Sequence, residues 1–127
     1  MRLANGCDIV DIQRFSRSMK RGGERFLKRL FTARELELGA SRLTEAEYWA
    51  VRFAAKEAVA KALGTGIWRS GIAWRDIEIL KEPQGQPYFE VKGQALDLYQ
   101  SQGWEAKSLA LSHDSFALAT VVLFSTE

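Results

Sequence analysis

Arg52-Phe53-Ala54-Ala55-Lys56-Glu57-Ala58-Val59-Ala60-Lys61-Ala62-Leu63-Gly64 is the stretch that decides how this chain folds. It is rich in alanine and has no proline or glycine before Gly64, so its residues favour a helix. Upstream, Thr44-Glu45-Ala46-Glu47 has the form of a capping box, which places the start of a long helix near Glu45 and its end at Leu63. Gly64 stands where a helix C′ glycine belongs. On that helix Phe53, Glu57 and Lys61 are four residues apart and share a face, which Gly64 continues. Lys56 and Ala60 form the neighbouring row. A charged pair therefore sits beside alanines small enough to let another backbone or a ligand come close. Taken alone, Glu57 and Lys61 read first as a solvated i,i+4 pair worth about 0.2–0.5 kcal/mol.

The flanking segments supply the other layers. Residues 3–10 (LANGCDIV) read as a strand, followed by a helix from Asp11 to Lys20 with Ile12, Phe15 and Met19 on one face. Gly22-Gly23 breaks that helix, and 24–30 forms another turn or two. Thr32-Ala33-Arg34-Glu35 is a further capping box opening a short helix. After a glycine-punctuated loop from Gly64 to Gly71, strands are expected at 74–81 and 87–91, joined by a turn at Pro83-Gln84-Gly85-Gln86. Residues 93–102 read as a helix, and 107–113 with 116–124 as a hairpin turning at Asp114-Ser115. The result is an α+β chain: a small antiparallel-type sheet against one long central helix and shorter ones, in a single domain over 1–127. The last strand, Phe116 to Phe124, is apolar except for Thr120. Such a strand is buried on both faces. Either a second subunit covers one face, or the strand lies between a helix layer and a loop layer.

Composition narrows the class of function. The chain has 127 residues, 27% charged and 46% hydrophobic, as in an ordinary globular protein. Lone Cys7 excludes an internal disulfide framework and fits a reducing compartment. No 18-residue apolar run is present, and Met1-Arg2-Leu3-Ala4-Asn5-Gly6 has no signal-peptide core, so the expected place is the cytoplasm. The net charge is only +2, but residues 1–34 carry nine Lys or Arg against three acids. A basic end on a nearly neutral chain points to an acidic partner: nucleic acid, a phosphate cofactor or an acidic protein.

Three further features bear on chemistry. Asp8 is an acid within an apolar strand, and a buried carboxylate needs a cation or strong donors. The alternative is a strand-end acid facing water, with Asp11 the better helix cap. Gly64-Thr65-Gly66 can present backbone N–H groups to a phosphate, or can be a plain C-cap. The helix dipole would not help there, so Lys61 and Lys56 would have to supply positive charge. His113, the only histidine, ends a strand. Its neighbours Ser112 and Asp114 point to the other face and lack the nucleophile-elbow context. No second histidine or cysteine cluster is available for zinc.

Three stretches occur together and in order: Gly6-Cys7-Asp8-Ile9-Val10-Asp11-Ile12, Phe53 to Gly66, and Leu111-Ser112-His113. With residues 25–32 and 76–79 between them, the chain resembles, over nearly its whole length, the holo-acyl-carrier-protein synthase family of 4′-phosphopantetheinyl transferases. The resemblance implies that fold. It also implies Mg²⁺-dependent transfer of the phosphopantetheine arm of coenzyme A to a serine of an acyl carrier protein, in fatty acid biosynthesis. By the same resemblance, Asp8 and Glu57 would bind Mg²⁺, and with Lys61 they would form the catalytic group. Lys61 and Lys56 would hold phosphates. Gly64, Thr65 and Gly66 would line the nucleotide pocket, and Arg52 and His113 would lie near the adenosine 3′-phosphate or the adenine. Arg14, Arg21 and Arg25 would meet the acidic helix of the carrier protein. A homotrimer with sites between subunits is implied too. The serine proton acceptor is left open among Asp8, Glu57 and a water on the ion. This chain departs from the pattern at Ala4 and Asn5, in the length around residues 21–25, and at Thr44, near which some relatives carry a basic residue and for which Arg42 is a candidate stand-in. Two rival readings are a basic nucleic-acid-binding module and a non-catalytic domain that only binds carrier proteins. A transferase serving polyketide or peptide synthases is a third reading, within the same class.

Overall fold

The computed structural model describes residues 1–67 and 71–127. Among those residues, five strands and four α-helices run in the order β1 (Arg2–Asp11), α1 (Ile12–Leu30), α2 (Ala33–Leu38), α3 (Ala46–Ala62), β2 (Ile77–Lys81), β3 (Pro87–Val91), α4 (Gly93–Ser101), β4 (Ala106–His113), β5 (Phe116–Ser125). Where one small sheet was expected, there are two. One is three-stranded in the order β1-β5-β4, and the other pairs β2 with β3; every pairing is antiparallel.

α3 is the axis of the molecule. Trp49, Ala50, Val51, Ala54, Ala55, Ala58, Val59, Ala60 and Ala62 are all buried along it. A helix apolar nearly all round belongs inside, and α3 is enclosed by β1, β5, α1 and β2. The closest approach is at Gly6. A Cβ there would lie 2.0 Å from the Ala58 carbonyl oxygen and 2.7 Å from the Ala62 nitrogen. Only glycine lets the β1 backbone rest on the alanine row of α3, and this brings Asp8 alongside Glu57 and Lys61.

Several local expectations are met. Thr32 caps α2 in a complete capping box with Glu35. Asp11 caps α1 by accepting from the Arg14 N–H. Gly23, at φ 59°, interrupts α1 and splits it into two helical pieces. The β4–β5 hairpin turns at Asp114-Ser115, closed by Asp114 N–H donating to the Phe116 carbonyl at 2.9 Å.

Three expectations are corrected or bounded. Thr44 does not cap α3; Glu45 is the N-cap residue and no side-chain cap bond forms. A long buried helix is held by its packing and does not require a cap. The strand expected at 74–81 starts only at Ile77, because Trp74–Asp76 form a 3-10 turn. There the Asp76 carboxylate accepts from the Ala73 N–H. Of the expected glycine loop, residues 68–70 lie outside the described residues.

β5 alternates strictly. Ala117, Ala119, Val121 and Leu123 are buried, while Phe116, Leu118 and Val122 are 51%, 37% and 42% exposed. In register beside them, Ile9 pairs with Leu118 and Leu3 with Phe124, and Leu3 and Ile9 are exposed as well. α3 covers one face of this sheet. The opposite face presents apolar side chains, so the loop layer considered from sequence is not what lies over Phe116, Leu118 and Val122.

Candidate active site

Asp8 lies on the helix-facing side of β1, one step along that side from Gly6. Its carboxylate accepts from the Lys61 ammonium at 2.9 Å, and the same ammonium donates to the Cys7 carbonyl at 3.1 Å. Glu57 lies one helical turn before Lys61. Its carboxyl is pushed up from the ordinary glutamate range, first by burial and then by repulsion from Asp8. Trp74, through its indole, and the Lys61 charge act in the opposite direction. Lys61, mostly exposed, has its ammonium form favoured by the Asp8 hydrogen bond and by both carboxylates. Two carboxylates thus lie near enough to act on one another, with the Lys61 ammonium bonded to one of them, a combination common at working sites.

This donor set can hold a magnesium ion. Among the described residues no three His, Cys, Asp or Glu side chains gather in one place, so a closed zinc-type cage is not formed. Mg²⁺ takes one or two carboxylates and fills its shell with water and substrate phosphate. Asp8 and Glu57 could supply those carboxylates, and a divalent cation there would offset the burial and the Asp8 charge that push the Glu57 carboxyl up.

Beside Asp8 opens a cleft of about 390 Å³, lined by Asp8, Arg14, Phe15, Phe26, Phe53 and Trp74 among others. Its aromatic wall is continuous: Phe15 meets Phe26 at 5.4 Å and Phe53 at 5.5 Å, and Phe53 meets Trp74 at 6.0 Å between ring centroids. Arg14 reaches this cleft, whereas Arg21 and Arg25 are exposed further along α1 and do not line it. After α3, Gly64 and Gly66 adopt φ of 85° and 133°, and among the described residues nothing lies within 4 Å of where a Cβ would be.

Arg52 and His113 fall elsewhere. They line a separate pocket with Arg42, Glu45, Tyr48 and Lys81. The Arg52 guanidinium sits 3.6 Å over the Tyr48 ring and that of Arg42 lies 5.7 Å from it. Arg42 thus does stand in the basic cluster to which Thr44 contributes nothing. Among the described residues, the cleft beside Asp8 and the pocket of Arg42, Arg52 and His113 have no lining residue in common.

Lys56 is the clear correction. Expected to hold phosphate, it is fully buried. Its ammonium donates to Glu35 at 2.6 Å, to the Ile77 carbonyl at 2.6 Å and to the Trp74 carbonyl at 3.0 Å. Burial lowers its pKa, and Glu35 works against that. All three N–H donors are used, so none is left for a ligand. Glu35 also accepts from the Thr32 and Ile79 N–H groups, which ties α2, α3 and β2 together. Sequence reasoning missed Glu35 and Trp74 as members of this region. Glu35 was visible only as a capping-box residue, and nothing in the sequence marks Trp74 as a wall of the cleft.

These features define a class. The 4′-phosphopantetheinyl transferase superfamily model matches residues 4–121, and the chain belongs to that family. It is 41% identical over 124 residues to the holo-[acyl-carrier-protein] synthase of Koribacter versatilis, covering 97% of this chain and 98% of the relative. The crystal structure of holo-[acyl-carrier-protein] synthase from Neisseria meningitidis superposes with a TM-score of 0.85 at 38% identity, over 96% of this chain and 98% of that one. The Helicobacter pylori holo-[acyl-carrier-protein] synthase, solved in complex with coenzyme A, gives a TM-score of 0.82 at 33% identity, over 94% and 99% of the two chains.

Proposed function

We propose that this chain transfers the 4′-phosphopantetheine arm of coenzyme A to a serine of an acyl carrier protein, with Mg²⁺ required, and that it serves fatty acid biosynthesis. The observation that carries this reading is the meeting of Asp8, Glu57 and Lys61 where Gly6 lets β1 rest on α3. Asp8 and Glu57 would hold the ion. When bound, Mg²⁺ supplies charge neutralisation at the diphosphate of coenzyme A. The serine hydroxyl attacks the β-phosphorus. A new P–O bond forms, the bond to the bridging oxygen breaks, and adenosine 3′,5′-bisphosphate leaves. The serine proton passes to the carboxylate pair or to water beside it. Lys61 lies within reach of the charge that gathers on the leaving phosphate and stabilises it. Positioning and electrostatics dominate such transfers.

Gly64, Thr65 and Gly66 line the nucleotide pocket, and Arg52 and His113, together with Arg42, take its phosphate or base. Arg42, Arg52 and His113 line a pocket that Asp8 does not line, and the outward sheet face bearing Leu3, Ile9, Phe116, Leu118 and Val122 is apolar. Both observations support a homotrimer in which this face is buried and one subunit's basic pocket completes another's site. Arg14, Arg21 and Arg25 on the basic first helix receive the acidic carrier protein. Among the described residues no helix is long and apolar enough to cross a membrane, and the lone Cys7 suits the cytoplasm.

The test is direct. Incubation with apo acyl carrier protein, coenzyme A and Mg²⁺ should add one phosphopantetheine mass to the carrier. Chelation of the metal should stop the reaction. An unmodified carrier under these conditions sinks the proposal, and a monomer in sedimentation at micromolar concentration sinks the trimer.

A further inference from the structure

The glycine turn that leaves α3 is anchored from a distant part of the chain. The last carbonyls of a helix lack intrahelical partners. At the end of α3 the Ala60 carbonyl accepts from the Thr65 N–H and the Lys61 carbonyl from the Gly64 N–H. The Leu63 carbonyl, which immediately precedes the turn, accepts instead from the Gln102 side-chain amide at 2.9 Å.

That amide has a fixed sense. The indole N–H of Trp104 donates to Gln102 Oε1 at 2.7 Å. An indole nitrogen can only donate, so Oε1 must face Trp104 and Nε2 must face Leu63. Trp104 is itself held, with the Arg2 guanidinium 4.5 Å over its ring. Arg2 also donates through Nη2 to the Gln102 backbone carbonyl at 2.5 Å. Gln102 is therefore gripped at its backbone N–H, its carbonyl and its amide oxygen, and its side-chain nitrogen points at the end of α3. Just beyond that end, Gly64 and Gly66 hold left-handed backbone, with no described residue within 4 Å of where a side chain would begin. Such a turn is costly to order in solution, and a ligand that meets it already ordered binds more tightly.

We propose that Gln102, oriented by Trp104, is a positioning residue that holds the Gly64–Gly66 turn in the form that receives the nucleotide of coenzyme A. The proposal rests on the functional reading above. It concerns the turn's order and assigns Gln102 no contact with ligand.

Gln102→Met keeps the side-chain shape and removes the donor. Calorimetry with coenzyme A and, separately, with adenosine 3′,5′-bisphosphate should show Kd raised about three- to tenfold, the size expected for one lost hydrogen bond. In turnover the loss should fall on KM for coenzyme A and leave KM for the carrier protein in place. Trp104→Phe, which frees the amide to turn over, should weaken nucleotide binding in the parent chain. It should add nothing in the Gln102→Met background, since the two act as one unit. A lowered Tm with unchanged nucleotide Kd in Gln102→Met overturns the proposal, because it reduces Gln102 to a fold-stabilising contact. Additive effects of the two substitutions overturn it as well. If the parent chain binds neither ligand, the functional reading falls, and this inference falls with it.

Discussion

Lys56 and Glu57 are adjacent on α3 and live in opposite worlds. Lys56 turns inward to Glu35, and every donor and acceptor of that pair is matched by the other or by backbone. Glu57 lies near Asp8 and Lys61, where burial and the Asp8 charge push its carboxyl up against the Trp74 indole and the Lys61 charge. The first arrangement is complete, and it ties three elements together. The second brings two carboxylates near one another, the donor type that a divalent ion takes. The difference teaches that charge type and helical position do not distinguish structural from chemical residues. Whether the partners of a charge are already all present does.

The contrast can be broken most sharply at the open site. Asp8→Asn or Glu57→Gln should reduce phosphopantetheine transfer at least about a hundredfold, the scale at which loss of one electrostatic contact at a reacting centre is felt. Near-parental turnover by either would remove the metal assignment. The closed pair should fail differently. Lys56→Met leaves Glu35 buried without its cation, a change that costs about 3–5 kcal/mol. At this chain length that lowers Tm by roughly 10–20 °C. A Tm within a few degrees of the parent would show that Lys56 is not the tie it is taken for.

Smaller effects sharpen the comparison. Reversing Arg14 and Arg21 to Glu should raise KM for the carrier protein about tenfold and flatten its salt dependence, with the Tm hardly moved. An unchanged KM would remove the first helix as the docking face. The smallest effect concerns stability alone. The folded-state pKa of Glu57 lies above its ordinary value. Its contribution to stability is therefore full at low pH and is lost as pH rises through that raised pKa. Metal-free Glu57→Gln should then melt slightly above the parent at neutral pH, and the gap should close on acidification. Thermal scans across pH check this, and a variant less stable than the parent at neutral pH would contradict it. Stability lost to function in this way is common at active sites.

Asp8 within an apolar strand is legible as a charge that needs a partner, whereas Glu57 with Lys61 reads from the sequence first as a solvated pair on one helical face. The capping box at Thr32 and the break at Gly23 were readable because capping and positive φ are local matters. The Thr44 box was misleading, since a cap adds little to a helix whose burial already holds it. Lys56 was misassigned for a related reason. Helical spacing places it beside Glu57, but its partners Glu35, Trp74 and Ile77 are distant in sequence.

By itself the sequence determined the long alanine-rich helix and the antiparallel α+β arrangement, which follow from periodicity, helix propensity and residue type, all properties of short segments; the family was legible from the motifs at residues 6–12, 53–66 and 111–113 that resemble it. Only the tertiary structure decided that Gly6 seats β1 on α3, that Lys56 is sealed away while Lys61 stays open, and that Gln102 reaches across to the end of the helix. It also decided that Arg52 and His113 stand in a pocket apart from Asp8. Each of these depends on contacts between residues far apart along the chain, set by how closely two backbones can approach, and no local pattern encodes that distance.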